Sequence, residues 1–216
     1  MQGIDADLLL KAYAIGVFPM AMSRDDPELH WFDPDRRGVI PLDAFHIPRR
    51  LLRTMKAEPY AIAVDTDFEG VMRACAAPRP GHDETWINEG IIALYTDLFE
   101  RGHAHSVECR KDGALVGGLY GVSIGAAFFG ESMFSTATDA SKIALAALVH
   151  ILREGGFTLL DTQYLTGHLA QFGAVEISRA EYRKRLAAAI AKPAAFHSRA
   201  PSSCSIVSSM LGSSAG

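Results

Sequence analysis

Between Leu115 and Ser135 the chain reads LVGGLYGVSIGAAFFGESMFS, rich in glycine and aromatic residues and carrying a single charge, Glu131. This run follows His105–Arg110 across Lys111-Asp112-Gly113, and an Asp-Gly pair between apolar runs is a strong hairpin signal. It predicts antiparallel strands over His105–Arg110 and Ala114–Val122, with a third over Ala126–Met133, so the fold is built around a hairpin-based sheet. A carboxylate in such surroundings is costly unless something pairs with it. Glu131 therefore suggests a pocket that expects a cation or an amine; the plainer alternative is a strand end facing water.

At 216 residues, 49% hydrophobic and 21% charged, the chain has the composition of a globular protein large enough for a sizeable core. No apolar run approaches a membrane span of about 20 residues, and MQGIDADLLLKAYAIG has no basic start of the secretory kind. Cys75, Cys109 and Cys204 form no CxxC pair, which suits a reducing, cytoplasmic setting. The net charge of −4 argues against a nucleic-acid binder, but its distribution does not. Arg36, Arg37, Arg49, Arg50, Arg53 and Lys56 crowd one segment against Asp43 alone, and Arg179, Arg183, Lys184 and Arg185 crowd another against Glu181. Local basic patches are the footprint of a phosphate-backbone binder; solvated helix faces are the alternative.

Along the chain, helices are expected over Asp7–Ala14, Pro48–Lys56, Asp67–Ala76, Glu89–Arg101, Asp139–Arg153, Tyr164–Phe172 and Ser178–Ala191, with Asp5, Asn88 and Asp139 as caps. Short strands are expected at Val39–Ile40, Ala61–Val64 and Thr158–Thr162, with Trp31–Gly38 rich in turns. Pro59 suggests a boundary near residue 60. This divides a small N-terminal domain, 1–60, from a larger domain, 61–196, and leaves 197–216 as a Ser-rich disordered tail. The order of elements makes an α+β, or mixed α/β, fold. It resembles the N-acetyltransferase-like (GNAT-like) acyltransferase fold shared with peptidoglycan-bridge aminoacyltransferases.

Asp161 and Gln163 end the apolar strand Leu159–Gln163 two residues apart, an extended spacing that puts both on one face. If that strand neighbours the one carrying Glu131, three polar groups converge over an aromatic floor to which Phe128, Phe129 and Phe134 could contribute. The alternatives are Asp161 as a helix cap and the phenylalanines as plain core. His103 and His105 share a strand face but lack a third ligand, so no metal is expected. Gly121-Val-Ser123-Ile-Gly125 fits the G-x-S-x-G elbow, and Asp161 and His168 follow in Ser…Asp…His order, which keeps a serine hydrolase as a rival. The residues after Gly125 read as a strand rather than the helix an elbow requires. Gly125–Ser132 comes one residue short of a P-loop, but Glu131 stands where the phosphate-neutralising lysine belongs.

Several ordered motifs together are more specific than any of these: Tyr13–Pro19 (YAIGVFP), Trp31–Arg36 (WFDPDR), Thr85–Ile87, Gly102–Glu108 (GHAHSVE), Leu115–Gly118, Tyr120-Gly121, Gly130–Ser135 (GESMFS), Ala140–Lys142, Asp161–Gln163 and Phe172–Ala174. Over roughly residues 5–196 the chain resembles the bacterial leucyl/phenylalanyl-tRNA–protein transferases. The resemblance implies transfer of Leu, Phe or Met from aminoacyl-tRNA to the N-terminal Arg or Lys of a protein, marking it for degradation by the N-end rule. It assigns catalytic and acceptor-side roles to Asp161, Gln163 and Glu131. Its substrate-binding positions fall on Trp86, Leu119, Phe128, Phe129, Trp31 and Ser132. Met20 after Pro19, and His30 before Trp31, depart from the usual pattern. An aminoacyl ester is already activated, so the reading needs no ATP, cofactor or metal. It makes Arg49, Arg50, Arg53 and Lys56 the first choice for tRNA contacts. A non-catalytic RNA-binding module is the remaining rival.

Overall fold

The computed structural model describes residues 4–26, 28–78 and 85–212, with the side chains of 211 and 212 left aside. In chain order the elements are α1 (Ala6–Ala14), β1 (Phe18–Met20), β2 (His30–Phe32), β3 (Arg36–Ile40), α2 (Arg49–Lys56), β4 (Ala61–Val64), α3 (Phe68–Ala76) and α4 (Glu89–Glu100). There follow β5 (Ala104–Lys111), β6 (Ala114–Ile124), β7 (Ala127–Ser135), α5 (Ala140–Glu154), β8 (Leu159–Gln163), α6 (Gly167–Ala170), β9 (Val175–Ser178), α7 (Arg179–Ile190) and α8 (Ser203–Gly212). No helix among the described residues is long and apolar enough to cross a membrane.

Seven strands form one sheet in the order β4-β5-β6-β7-β8-β3-β9, and β1 and β2 form a separate ribbon. The β5–β6 hairpin turns on Asp112 and Gly113, both at positive φ (51° and 81°), as a two-residue turn matching the strand twist requires. The β7–β8 pair is parallel, and α5 makes the crossover between them. Alternation along the strands sorts side chains into two cores. Tyr120 and Phe129 face α1, α3, α4 and α7, whereas Leu119, Phe128 and Leu160 face α2, α5 and α8. The result is a sheet with helices on both faces, the mixed α/β class expected from the sequence.

Asp5, Asp67 and Asn88 cap α1, α3 and α4 through their side chains, accepting from the backbone N–H groups of Leu8, Gly70 and Ile91. Asp139 does not act this way. It stands at the N-cap of α5 in the left-handed region (φ 62°), but its side chain makes no capping bond and pairs instead with Lys142 Nζ at 2.7 Å.

Three further readings are corrected. Residues 36–60 do not separate from the remainder: β3 lies between β8 and β9, and α2 packs on α5. The helix expected over 164–172 shrinks to α6. Gln163 sits at φ 55°, the Tyr164 N–H bonds back to the Thr162 carbonyl, and Thr166 caps only the last turn. Residues 203–212 are helical rather than disordered, with Ile206 and Val207 buried in the core beside α2 and α5. Strands β1, β2 and β9 are three or four residues long and carry too little alternation to announce themselves.

Candidate functional site

Two local irregularities build the site. In the β6–β7 ladder Ser132 opposes Tyr120 and Gly130 opposes Gly121, so Glu131 is an extra residue, a β-bulge. In the β3–β8 ladder Gln163 opposes Gly38 and Asp161 opposes Val39, which makes Thr162 a second bulge. Bulges break the period-two alternation and re-aim side chains. Since Phe129 pairs with Asp161 across β7 and β8, the two bulges are adjacent. Gly38 belongs to this geometry, because a Cβ there would come within 2.5 Å of the Tyr164 backbone. The same bulge overturns the expectation that Asp161 and Gln163 share a face.

Asp161 is fully buried. Its carboxylate accepts from Arg37 Nε (2.9 and 3.1 Å), Arg37 Nη2 (2.6 Å), Tyr182 Oη (2.7 Å) and the Gln163 backbone N–H (2.8 Å). Arg37, 1% exposed, also donates to the Gly16 carbonyl and lies between the rings of Phe18 and Tyr182, 4.5 and 4.4 Å from their centroids. Burial opposes the guanidinium's charge, yet the Asp161 contact holds its pKa above the ordinary value. Read from sequence as part of a basic patch, Arg37 is instead the structural partner of Asp161. The only available signal was its place at the start of the apolar run Val39-Ile40.

Glu131 is the second centre. Tyr13 Oη donates to its Oε1 at 2.7 Å and Tyr95 Oη to its Oε2 at 3.3 Å, the two hydroxyls being 2.5 Å apart. Gln163 Nε2 reaches Oε1 at 3.5 Å. Burial pushes the Glu131 carboxyl up to about 8, with the Tyr13 bond opposing and the nearby Asp161 charge adding to the rise. Tyr13 and Tyr95 escaped the sequence reading because each looks like an ordinary aromatic on the apolar face of its helix.

Glu131, Ser132 and Gln163 border a cavity of about 520 Å³. Leu119, Met133, Leu145, Leu148, Leu160 and Leu169 form its apolar wall, and the partly exposed Met20, Trp86 and Tyr164 also line it. Of the residues expected to bind substrate, Trp86, Leu119 and Ser132 meet there. Phe128 and Phe129 do not: the first packs on Phe157 and Phe196, the second on Tyr13, on opposite faces of the sheet. Phe134 also lies in the core. Trp31, 40% exposed, pairs with Pro19 on the ribbon whose Phe18 and Met20 line the cavity.

No hydrogen bond joins Ser123, Asp161 and His168. Ser123 pairs with Phe128 in the ladder, Asp161 is taken by Arg37, and His168 sits against Gln171 and Phe172. The serine-hydrolase constellation is thus not assembled. His105 is held by Asp65 and His103 by the Ser123 carbonyl, and the described residues contain no group of three metal-ligating side chains.

The two basic segments differ in kind. Arg179 and Arg183 pair with Asp33, and Arg185 with Glu181. On α2, Arg49, Arg50, Arg53 and Lys56 are all exposed, and none is ion-paired among the described residues. Thr54 on α2 and Lys142 on α5 both bond Asp139, so this cationic helix abuts the start of the helix that supplies Leu145 and Leu148 to the cavity.

The chain matches the profile of the leucyl/phenylalanyl-tRNA protein transferase family over residues 39–187, and that of the family's N-terminal domain over residues 3–35. It is 61% identical to the leucyl/phenylalanyl-tRNA–protein transferase of Paramagnetospirillum magneticum over 196 residues, which is 91% of this chain and 94% of that one. It is 60% identical to the transferase of the same name from Caulobacter vibrioides over 191 residues, 88% of each chain. Among solved structures, FemX shares the fold with a TM-score of 0.53 at 12% identity, over 80% of this chain and 66% of that one. The chain therefore belongs to the leucyl/phenylalanyl-tRNA–protein transferase family.

Proposed function

We propose that this protein transfers Leu, Phe or Met from aminoacyl-tRNA to the N-terminal Arg or Lys of an acceptor protein, marking that protein for degradation in the cytoplasm. The observation that carries the reading is the cavity, which joins an apolar wall to the half-buried Glu131 and the buried Gln163. In this scheme the apolar wall receives the aminoacyl side chain. Gln163 turns Nε2 toward Glu131, which frees its carbonyl oxygen to orient the attacking α-amine. The amine nitrogen bonds to the ester carbonyl carbon, the carbon–oxygen bond to the ribose breaks, and the amine proton leaves with the ribose oxygen or through water. Asp161 acts one step back: it fixes the Gln163 backbone rather than the side-chain amide, and adds negative charge near the nitrogen that becomes positive. Glu131 faces the acceptor's amine or cationic side chain.

Incubation with labelled Phe-tRNA and a peptide beginning with Arg or Lys is expected to move label onto the peptide. Aminoacyl-tRNA binding without transfer would favour the RNA-binding module instead. Transfer of Asp or Lys at a comparable rate would contradict an apolar side-chain site, since burying an unpaired charge is prohibitive. Ser123→Ala is expected to turn over like the native enzyme; an inactive but folded Ser123→Ala protein would revive the hydrolase.

The exposed cations of α2 support tRNA contacts along that helix. Replacing Arg49 and Arg53 by Ala is expected to raise KM for every aminoacyl-tRNA alike. It should also flatten the slope of log affinity against log salt by roughly 1.5–2, since each lost phosphate contact releases about one counterion fewer. Titrations at several salt concentrations read both effects, and unchanged binding across the series would leave α2 as a solvated face.

A further inference from the structure

Helix α2 has little to hold it by itself. It is eight residues long, and isolated helices well under about 12 residues are marginal in water. Its N-cap is Pro48, which supplies no side-chain bond. Arg49 and Arg50 occupy the first turn, where the helix dipole disfavours cations. Beside the Thr54–Asp139 bond, its place comes from burial of Leu51 and Met55, 2% and 0% exposed. The element that packs on that side together with α5 is α8, through Ile206 and Val207.

The segment leading to α8 is pinned along its length. The Ala195 N–H donates to the Gly155 carbonyl at 3.0 Å, and Phe196 stacks on His105 at 3.9 Å. Further on, Ser209 Oγ meets His150 Nδ1 at 3.0 Å, and the Cys204 N–H reaches Glu58 just past α2 at 3.4 Å.

We propose that residues 195–210 are a strap that fixes the cationic helix α2 against α5, with Ile206 and Val207 as positioning residues for aminoacyl-tRNA binding although they touch no substrate. The proposal rests on the reading of α2 as the tRNA contact. Phe196 of the strap packs on Phe128 of β7, but α8 itself packs on α2 and α5, so loosening α8 should weaken tRNA capture and spare the reaction centre.

The test is Ile206→Asp in the full-length protein, with the milder Ile206→Ala/Val207→Ala pair in case the aspartate variant fails to fold. Amide hydrogen exchange over 49–56, aminoacyl-tRNA affinity at several salt concentrations, and kcat at saturating tRNA are the readouts. Exchange in α2 should rise on the order of tenfold while β7 and β8 keep their protection. Affinity should fall several-fold with a flatter salt slope, and kcat should stay near native. Unchanged α2 exchange in a variant whose α8 has come loose overturns the strap. So does a loosened α2 with native affinity in a protein whose Arg49→Ala/Arg53→Ala variant binds weakly. If the arginine variant itself binds normally, the reading of α2 fails, whatever the exchange data say about the strap.

Discussion

Replacing Asp161 by Asn is expected to cost about 3–5 kcal/mol of stability, because it leaves Arg37 charged and buried without its counter-charge. The five hydrogen-bond contacts at the Asp161 carboxylate all come from donors, and an asparagine would turn an NH₂ toward some of them. What remains for Arg37 is the Gly16 carbonyl and the faces of two aromatic rings. Turnover should fall by ~10²–10³ as well, the usual scale for losing a preorganised charge beside a reacting group. Denaturant titration gives the first quantity; steady-state kinetics well below the melting transition give the second. A double variant, Arg37→Met with Asp161→Leu, separates them. Removing both charges should restore most of the stability, as replacing buried ion pairs by apolar groups often does, but Gln163 would still lack the acceptor for its backbone N–H and turnover would stay low. If Asp161→Asn alone keeps near-native stability and turnover, the ion pair does not hold Gln163 in place.

This pairing also shows where the sequence stops being informative. Strands β5 to β7, the capped helices α3 and α4, and the basic helix α2 are written locally: an Asp-Gly turn, an Asp or Asn three residues ahead of the N–H it caps, a run of cations. Glu131, Asp161 and Gln163 stand out because polar groups ending apolar strands are unusual. The Arg37–Asp161 bond joins residues 124 positions apart, and nothing local marks which arginine of the segment turns inward. The bulges at Glu131 and Thr162 depend on the register between strands, which alternation alone leaves open. Helix α8 has a Ser-rich sequence of weak helical preference, and what makes it helical is a partner, the apolar side of α2 and α5, that a reading along the chain cannot supply. Phe128 and Phe129 show the reverse limit: aromatic residues beside a lone carboxylate suggest a floor for it, but the alternation of β7 sends one into each core.

Glu131 should make both stability and activity respond to pH, and the sign follows from its raised pKa. An unfolded chain ionises this carboxyl near 4.5, whereas the folded protein does so at about 8. Between those values the folded state holds a proton that the unfolded state has released, so this group's contribution to stability declines as pH rises, by up to about 1.4 kcal/mol per pH unit. The decline ends above the folded value, where both states are ionised. Glu131→Gln cannot ionise, so its melting temperature relative to the native protein should climb from pH 5 to pH 8 and then level off. Thermal melts of the two proteins that run parallel over this range would show that the carboxyl is not strained by burial. The catalytic consequence has the opposite sense. If the ionised form is the one that faces the acceptor's cation, the ratio of native to Glu131→Gln kcat/KM should increase with pH up to about 8. Taking the ratio removes the acceptor amine's own titration near pH 8, which both enzymes share. The larger effect should fall on KM for the acceptor rather than on kcat, as expected for a group that binds the nucleophile's partner charge instead of the transition state. A native protein whose melting temperature falls with pH while the activity ratio stays flat would keep Glu131 as a desolvated acid and remove it from acceptor recognition.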